Sequence, residues 1–572
     1  MSSNQNPLYI KGWENGIADS PHLGVGLIRN ADIESFPGAV KVAKEPQNLF
    51  HSINELTFTA ETSDLCTVSE AIEANGNNFT GAAVYFTTTD TLPAGLSIDT
   101  VYYLYQISST TFKVCTSYKN SVGSSAGTFI DITDTGTGTH TMHQVGIGDV
   151  KWILEDSSTN NLWILSSTGR VWFSDGVRAY LLHNSAIENP DSSLDNASGN
   201  GLAITPFSNT AATFLFVFRN NKIDVINVFN NTQIEALNWS NDWKDLNTAA
   251  GLNKSHEAIV GQDDAIYFCD GHYVGSIIEN AGITFDPSNS STYTYNNQAL
   301  DLPKREIAQC LEELGTDLLI GGNVYNKIYP WNRISDSFGL PLEVSEFSIK
   351  RMKNIGNLVY ILAGRWGNIY TTQGTYVNHF KKIPTYVINN DYVIQSNPIT
   401  WGGIVVVNGA LLFGLLGQTT NSSGVYKLYP DGKLIHDNTP SAGSQNVTAI
   451  WAKDNFYIMG YTDGIDSFNL TSQYSSGYKT VLHSQFYPVG TKTSKATYSK
   501  LEVRIATPAS IGSIRVSYRT DKSSSFITLA TYAMDGSNLT FESDIGLTDI
   551  ENINIQVEMH GNMEFLEVIL YP

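Results

Sequence analysis

Apolar residues occur along this chain in short runs, cut by turns of Gly, Asn, Asp, Ser and Thr. The stretch 150–176, VKWILEDSSTNNLWILSSTGRVWFSDG, shows the pattern and predicts three strands, at 150–154, 162–165 and 170–173. Gly and Asn accept the positive φ of tight turns, and Asp-Gly is among the strongest hairpin signals. A lone meander of this size cannot bury its own face. The pattern then returns at 201–228, 256–278, 307–331, 348–372, 399–432 and 447–468. Each copy runs apolar strand, polar turn, strongly apolar strand, Gly turn, aromatic-containing strand. The copies start roughly 40–55 residues apart, the spacing of a β-propeller blade and too long for a solenoid rung.

Inner strands of a propeller are covered on both faces and read as continuous apolar runs, as at 214–218, 358–362 and 404–407. Trp163, Trp172, Tyr329, Trp331, Trp366 and Trp451 are expected to wedge between blades. The strand near Ala39–Val42 is the candidate to complete a blade with later residues. No long window shows helical i, i+3, i+4, i+7 spacing. The fold class is therefore all-β: a propeller of about seven blades (six or eight being the alternatives) over 37–55 and 143–484. A long β-sandwich array is the rival architecture.

Two segments have a different texture. Residues 56–142 interrupt the propeller with LTFTA, AVYFTTT, VYYLYQI, TFKVCTS and a Gly/Thr-rich end, which make a small inserted β-domain of four or five strands. From about 485 to 572 the strands alternate, Leu501, Val503 and Ile505 against Glu502 and Arg504, with a hairpin turn expected at Asp535-Gly536. This half-buried pattern predicts a C-terminal β-sandwich. Residues 1–36 form an N-terminal arm, anchored by Trp13, Leu23 and Ile28, that lies on the surface or reaches a neighbouring subunit.

Length, 572 residues, sets a prior of roughly three to four domains. Hydrophobic residues make up 41% and charged residues 16%, ample for a packed core. The formal charge of −21 argues against gripping nucleic acid through its phosphates. It suits a protein that lets DNA pass without sticking, and it also serves solubility. No apolar run reaches membrane-spanning length, and MSSNQNPLYIKGWENG has no signal-peptide core, so synthesis in a cytoplasm without the usual export route is expected.

Candidate chemistry is sparse. Gly24-Val25-Gly26 lacks the third glycine and the strand–helix context of a dinucleotide loop. Cys269-Asp270-Gly271-His272 has no second ligand pair for a metal. His140 and His143 sit three apart in an extended segment and face opposite ways. Cys66 and Cys115 share the insert and are expected to be free thiols. Asp263-Asp264 and Glu312-Glu313 are expected as solvated carboxylates in turns before inner strands. Ser166 to Trp172, SSTGRVW, lacks the Asp of a sialidase-type box. Arg365-Trp366, and Arg333 beside Trp331, have the makings of sugar platforms but fit inter-blade packing better. No catalytic, cofactor-binding or metal residue is assigned, and no cofactor is expected.

The run from Ala83 to Thr116, with FTTTDTLPAGLS, VYYLYQI and TFKVCTS, followed by DITDTGTGTHT, resembles a small module that recurs as an insertion in tailed-phage virion proteins. Residues 16–42, GIADSPHLGVGLIRNADIESFPGAVKV, leading into a propeller and a short sandwich, also resemble such proteins. Among them, propeller-containing chains are similar to the tail nozzle subunits of short-tailed phages. The resemblance implies a non-enzymatic structural protein of the virion tail, made in the host cytoplasm. It implies a homo-oligomeric ring, a hexamer in the family resembled, that extends the DNA-ejection channel. The partners it implies are adaptor and fibre proteins, with DNA only in passage and no stable membrane insertion. The insert departs from that family. The alternative is a receptor-binding or fibre-attachment tail protein recognising host surface glycans. A glycan hydrolase ranks last, for want of paired carboxylates in context.

Overall fold

Turns that demand a left-handed backbone set the hairpins of this chain. The connection after the first strand of each repeat carries a positive φ: Asn160, Phe207, Asp264, Gly315, Gly356 and Asn357, Asn408 and Gly409, and Asp454, all but Phe207 being Asn, Asp or Gly. Short polar side chains and glycine tolerate that region, so the turns fold the apolar runs back on themselves in register. The computed structural model describes residues 7–572 except 12, 14–26, 30, 33–38, 43, 51–52, 54, 73–77, 99, 123–127, 157–158, 168, 175–177, 183–200, 209–211, 220, 229–238, 248–254, 384–398, 418–422, 444, 455, 469–477, 485, 492–493, 521–522 and 524. Leu23 and Gly24-Val25-Gly26 lie outside the described residues, as does the side chain of Ile28.

The architecture is all-β, with one short helix, Tyr118–Val122. Among the described residues, seven four-stranded antiparallel units follow one another from Val150 to Phe468. Their first strands are Val150–Asp156, Gly201–Thr205, Ala258–Val260, Ala308–Leu314, Ile349–Ile355, Thr400–Val407 and Ala449–Lys453. Each first strand lies against the first strand of the next unit, and the last lies against the first. The fold is propeller-like, and the units are called sheets one to seven below. Gly201 shows how close the sheets come: a Cβ there would sit 1.6 Å from the carbonyl oxygen of His256 in the neighbouring sheet.

The seventh sheet is completed from the other end of the chain. Gln47–Asn48 pairs with Gly464–Phe468, in register Asn48↔Asp466. Leu49 then donates its N–H to Ile465 O at 2.8 Å and accepts from Ala179 N at 3.1 Å, tying sheet seven to sheet one. Val40–Val42, the expected closing strand, pairs instead with Glu564–Tyr571 of the C-terminal region. Only two residues of strand separate the two outcomes, and no apolar pattern marks Gln47-Asn48.

The insert forms a closed six-stranded barrel, of which Cys66–Val68 and His140–Gln144 are strands that the pattern does not make prominent. Its interior holds Phe58, Phe86, Phe112 and Met142. Its other face, through Ala83, Tyr103 and Cys115, packs on sheets one and seven, and the Tyr103 hydroxyl donates to Leu181 O at 3.0 Å. The barrel therefore sits over the ring closure.

The C-terminal strands form two layers whose apolar sides share one core, including Val503, Ile505, Val516, Ile555 and Val568. Asp535-Gly536 does not make a hairpin. It carries the chain from Ile527–Ala533 in one layer to Thr540–Ile550 in the other. The arm threads its own chain. Leu8–Ile10 pairs with Glu564–Tyr571, and Leu27–Arg29 lies between Leu434–Asn438 of sheet six and Thr480–His483. That single strand fuses sheet six with the C-terminal layer into one ten-stranded sheet. Trp13 is fully buried, donating Nε1–H to Ile10 O at 3.1 Å and packing edge-on against Phe565.

Two glutamates repeat one device. Glu306, fully buried, accepts from the amides of Ile307, Val324 and Tyr325 and from the Tyr329 hydroxyl at 3.0 Å. Glu346 does the same one sheet on, for the amides of Arg365 and Trp366 and the Tyr370 hydroxyl at 3.4 Å. Gly322 and Gly364 face these carboxylates and leave no room for a Cβ.

Candidate functional site

The seven first strands surround a central cavity of about 210 Å³, the candidate site. Register shifts break the start of four of them, at Val150/Trp152, Ala308/Cys310, Ile349/Arg351 and Trp401/Ile404. A bulge of this kind re-aims the side chains that follow it. The strand Ile349–Ile355 thereby places Arg351 in the shaft, where Nη1 reaches Glu257 Oε2 of sheet three at 3.0 Å. The guanidinium also lies 5.1 Å from the ring centroid of Trp152 in sheet one. One side chain from sheet five thus touches sheets three and one across the axis. Lys353, on the same strand, pairs with Glu312 Oε2 at 3.1 Å.

Burial dominates the electrostatics. It pushes the Glu257 carboxyl above its ordinary range, with Arg351 and the Leu311 amide pulling the other way. Glu312 is raised for the same reason, opposed by Lys353. Lys350, one residue from Arg351, is lowered by desolvation. A carboxylate taken out of water without its cation is costly, so Arg351 and Lys353 each offset part of the burial cost of the acid they face.

The structure separates the carboxylates expected in turns. Glu312 and Glu313 lie on the strand Ala308–Leu314 itself, where successive side chains point to opposite faces. Glu312 lines the shaft; Glu313 turns away and binds Arg333 Nη1 at 2.5 Å. Asp263 and Asp264 do sit in the turn before Ile266–Asp270, and Asp263 Oδ1 is 3.5 Å from Arg333, which joins sheets three and four. Arg333 is therefore an inter-sheet tie, beside the buried Trp331. Trp163, Trp172 and Tyr329 are also buried, whereas Trp366 is 39% exposed, with the Arg365 guanidinium over its ring.

Cys269 is buried in its strand and Asp270 accepts from Asn247 N, while His272 lies 3.8 Å from Asp301. His140 points into the barrel against Phe58, and His143 stacks outside on Tyr85. Cys66 and Cys115 belong to different apolar clusters, and burial pushes their thiols up to about 12 and about 11. Among the described residues no group of three or more His, Cys, Asp or Glu is placed to hold a metal, and no helix is long and apolar enough to cross a membrane. Ser166 to Trp172 spans a turn between two buried strands of sheet one.

Sequence reasoning missed Glu257, Arg351, Lys353 and Trp152 as a cluster. A signal was present: SIKRMKN puts three cations into what is otherwise an apolar innermost strand.

The fold and the shaft together define an all-β, propeller-like protein with an appended double-layer β region. No family model matches the chain, and no curated protein sequence is similar to it. Among solved structures it is similar to the β-propeller domain of Cps50 (Swd1) from Myceliophteria thermophila, at 10% identity and a TM-score of 0.37, covering 57% of this chain and 98% of that one.

Proposed function

We propose that this chain is a structural subunit of a phage tail, a nozzle-like part that assembles as a ring and extends the DNA-ejection channel. In this reading it is a seven-bladed propeller (37–55 and 143–484) carrying the arm 1–36, the inserted domain 56–142 and a C-terminal sandwich 485–572. It belongs to the virion, is made in the host cytoplasm, and catalyses nothing. Its partners are further copies of itself in a ring, with adaptor and fibre proteins, and no membrane holds it.

The observation that carries the proposal is the placement of the described strands within residues 16–42, the segment that bears the resemblance. Its described strands bridge sheet six and the C-terminal layers, which makes the chain one mechanical unit. A part that transmits load along a tail benefits from such a weld. The shaft supports a ring in a second way. Arg351 crosses it and ties sheet five to sheets three and one, so in this reading DNA passes between subunits and not through one chain's shaft. A net charge of −21 repels phosphate along that path.

Imaging of particles with this chain labelled tests the proposal. The expected result is a closed ring on the tail axis, and a monomer away from the axis overturns it. The receptor-binding alternative has one observation in its favour, the partly exposed Trp366 with the Arg365 guanidinium over its ring. Binding of the purified chain to host surface glycans, lost in Trp366→Ala, is what that reading expects.

A further inference from the structure

Five charged side chains line the central cavity. Lys151, Arg351 and Lys353 stand there with Glu257 and Glu312, and Lys151 is itself paired with Asp149 Oδ2 at 3.8 Å. Low-dielectric walls strengthen the field of each charge among them. Arg351 is held in place twice, by Glu257 at 3.0 Å and by the face of Trp152 at 5.1 Å. Its hydrogen bonds use Nη1 only, to Glu257 and to Lys350 O. The Nε and Nη2 edge of the guanidinium is left for a planar acceptor, and a fork held in this way loses little freedom on binding one.

The remaining wall is mostly apolar, with Ile404, Ile450 and Trp451 beside Thr448, and the half-buried Trp451 ring also packs edge-on against Phe456. At a share of about 30 Å³ per water molecule, the cavity holds roughly seven waters or one sugar-sized ring. Aromatic faces pack on the C–H face of such a ring, and the Glu257 and Glu312 carboxylates accept from hydroxyls.

We propose that the shaft binds a carboxylate-bearing ring compound of monosaccharide size, a sugar acid of the uronate class, with the carboxylate on Arg351 and the ring against Trp451. This goes beyond the tail reading and does not rest on it. The same chemistry is offered by a free sugar acid and by the terminal residue of an acidic polysaccharide.

Titration of the full chain with glucuronate, glucose and acetate tests it, followed by calorimetry and by saturation transfer to the ligand protons. Glucuronate is expected to bind saturably, and glucose and acetate at least about ten-fold more weakly. Arg351→Lys, which keeps the charge and loses the fork, is expected to weaken glucuronate by about ten-fold or more, with folding confirmed by the unfolding midpoint. Should that variant not fold, Lys353→Met, at a side chain 38% exposed, is the second probe and is also expected to weaken binding. A glucuronate-ended oligosaccharide separates the sources: binding identifies a polymer terminus, and exclusion with retained monosaccharide binding identifies the free acid. No binding of glucuronate overturns the proposal. So does equal binding of glucose or acetate, or unchanged affinity in the folded variants. None of these outcomes bears on whether the chain forms a ring.

Discussion

Replacing Arg351 by Met removes the cation of the shaft while keeping most of the side-chain length. Glu257, with 8% of its side chain exposed, then has no partner for its charge. Breaking a buried pair from one side costs about 3–5 kcal/mol when the remaining group stays ionised. Glu257 has an escape, because it can take up a proton, and each unit of pKa elevation is worth about 1.4 kcal/mol. The sign follows from the direction of the shift. Burial already holds the folded pKa above 4.5, against the pull of Arg351 and, further off, Lys353, and with Glu312 adding to the rise. Between 4.5 and that folded value the folded state binds a proton that the unfolded chain does not. The stability this contributes is fully present below 4.5 and is lost as pH rises through the folded value. Removing Arg351 moves the folded value further up and widens the window. Denaturant unfolding at pH 5 and pH 8 is the assay. The expected cost of Arg351→Met approaches the full range at pH 8 and is smaller at pH 5. In Arg351→Met with Glu257→Leu the loss is largely recovered and its pH dependence disappears. A cost below about 1 kcal/mol at pH 8, or the same cost at both pH values, refutes the argument that this pair is buried and coupled.

Other parts of the fold make separable predictions. Trp13→Ala opens a cavity under the arm and is expected to cost about 3–5 kcal/mol by denaturant midpoint, with faster proteolysis of residues 1–36. Glu306→Ala strands the Tyr329 hydroxyl in a dry site, while the amides of Ile307, Val324 and Tyr325 make only part-buried bonds. At about 1.5–3 kcal/mol per bond to a charged group, the one stranded bond predicts a loss of about 1.5–3 kcal/mol, against about 1 kcal/mol for Tyr329→Phe. Gly201→Ala drives a Cβ into the His256 carbonyl and is expected to destabilise by about 1–3 kcal/mol, with the damage localised by hydrogen exchange to sheets two and three.

The sequence by itself determined the repeating unit. Short continuous apolar runs and turns built on Asn, Asp and Gly specify hairpins locally, and the recurrence of those hairpins is visible without coordinates. The alternation of Leu501, Val503 and Ile505 likewise announced the C-terminal layers, because one buried face imposes that pattern wherever it is buried. Tertiary structure alone decided which short strand closes the last sheet. Gln47-Asn48 pairs through backbone hydrogen bonds with both side chains exposed, so no side-chain pattern records the pairing. It also decided where the arm goes, because Leu27–Arg29 finds its place between two strands more than forty residues apart in sequence. The shaft was written in SIKRMKN as charges in an inner strand, but their partners lay far away, with Glu257 separated from Arg351 by 94 positions. Local grammar names a strand from its own residues; a strand's neighbours, and a charge's partner, exist only once the chain has closed on itself.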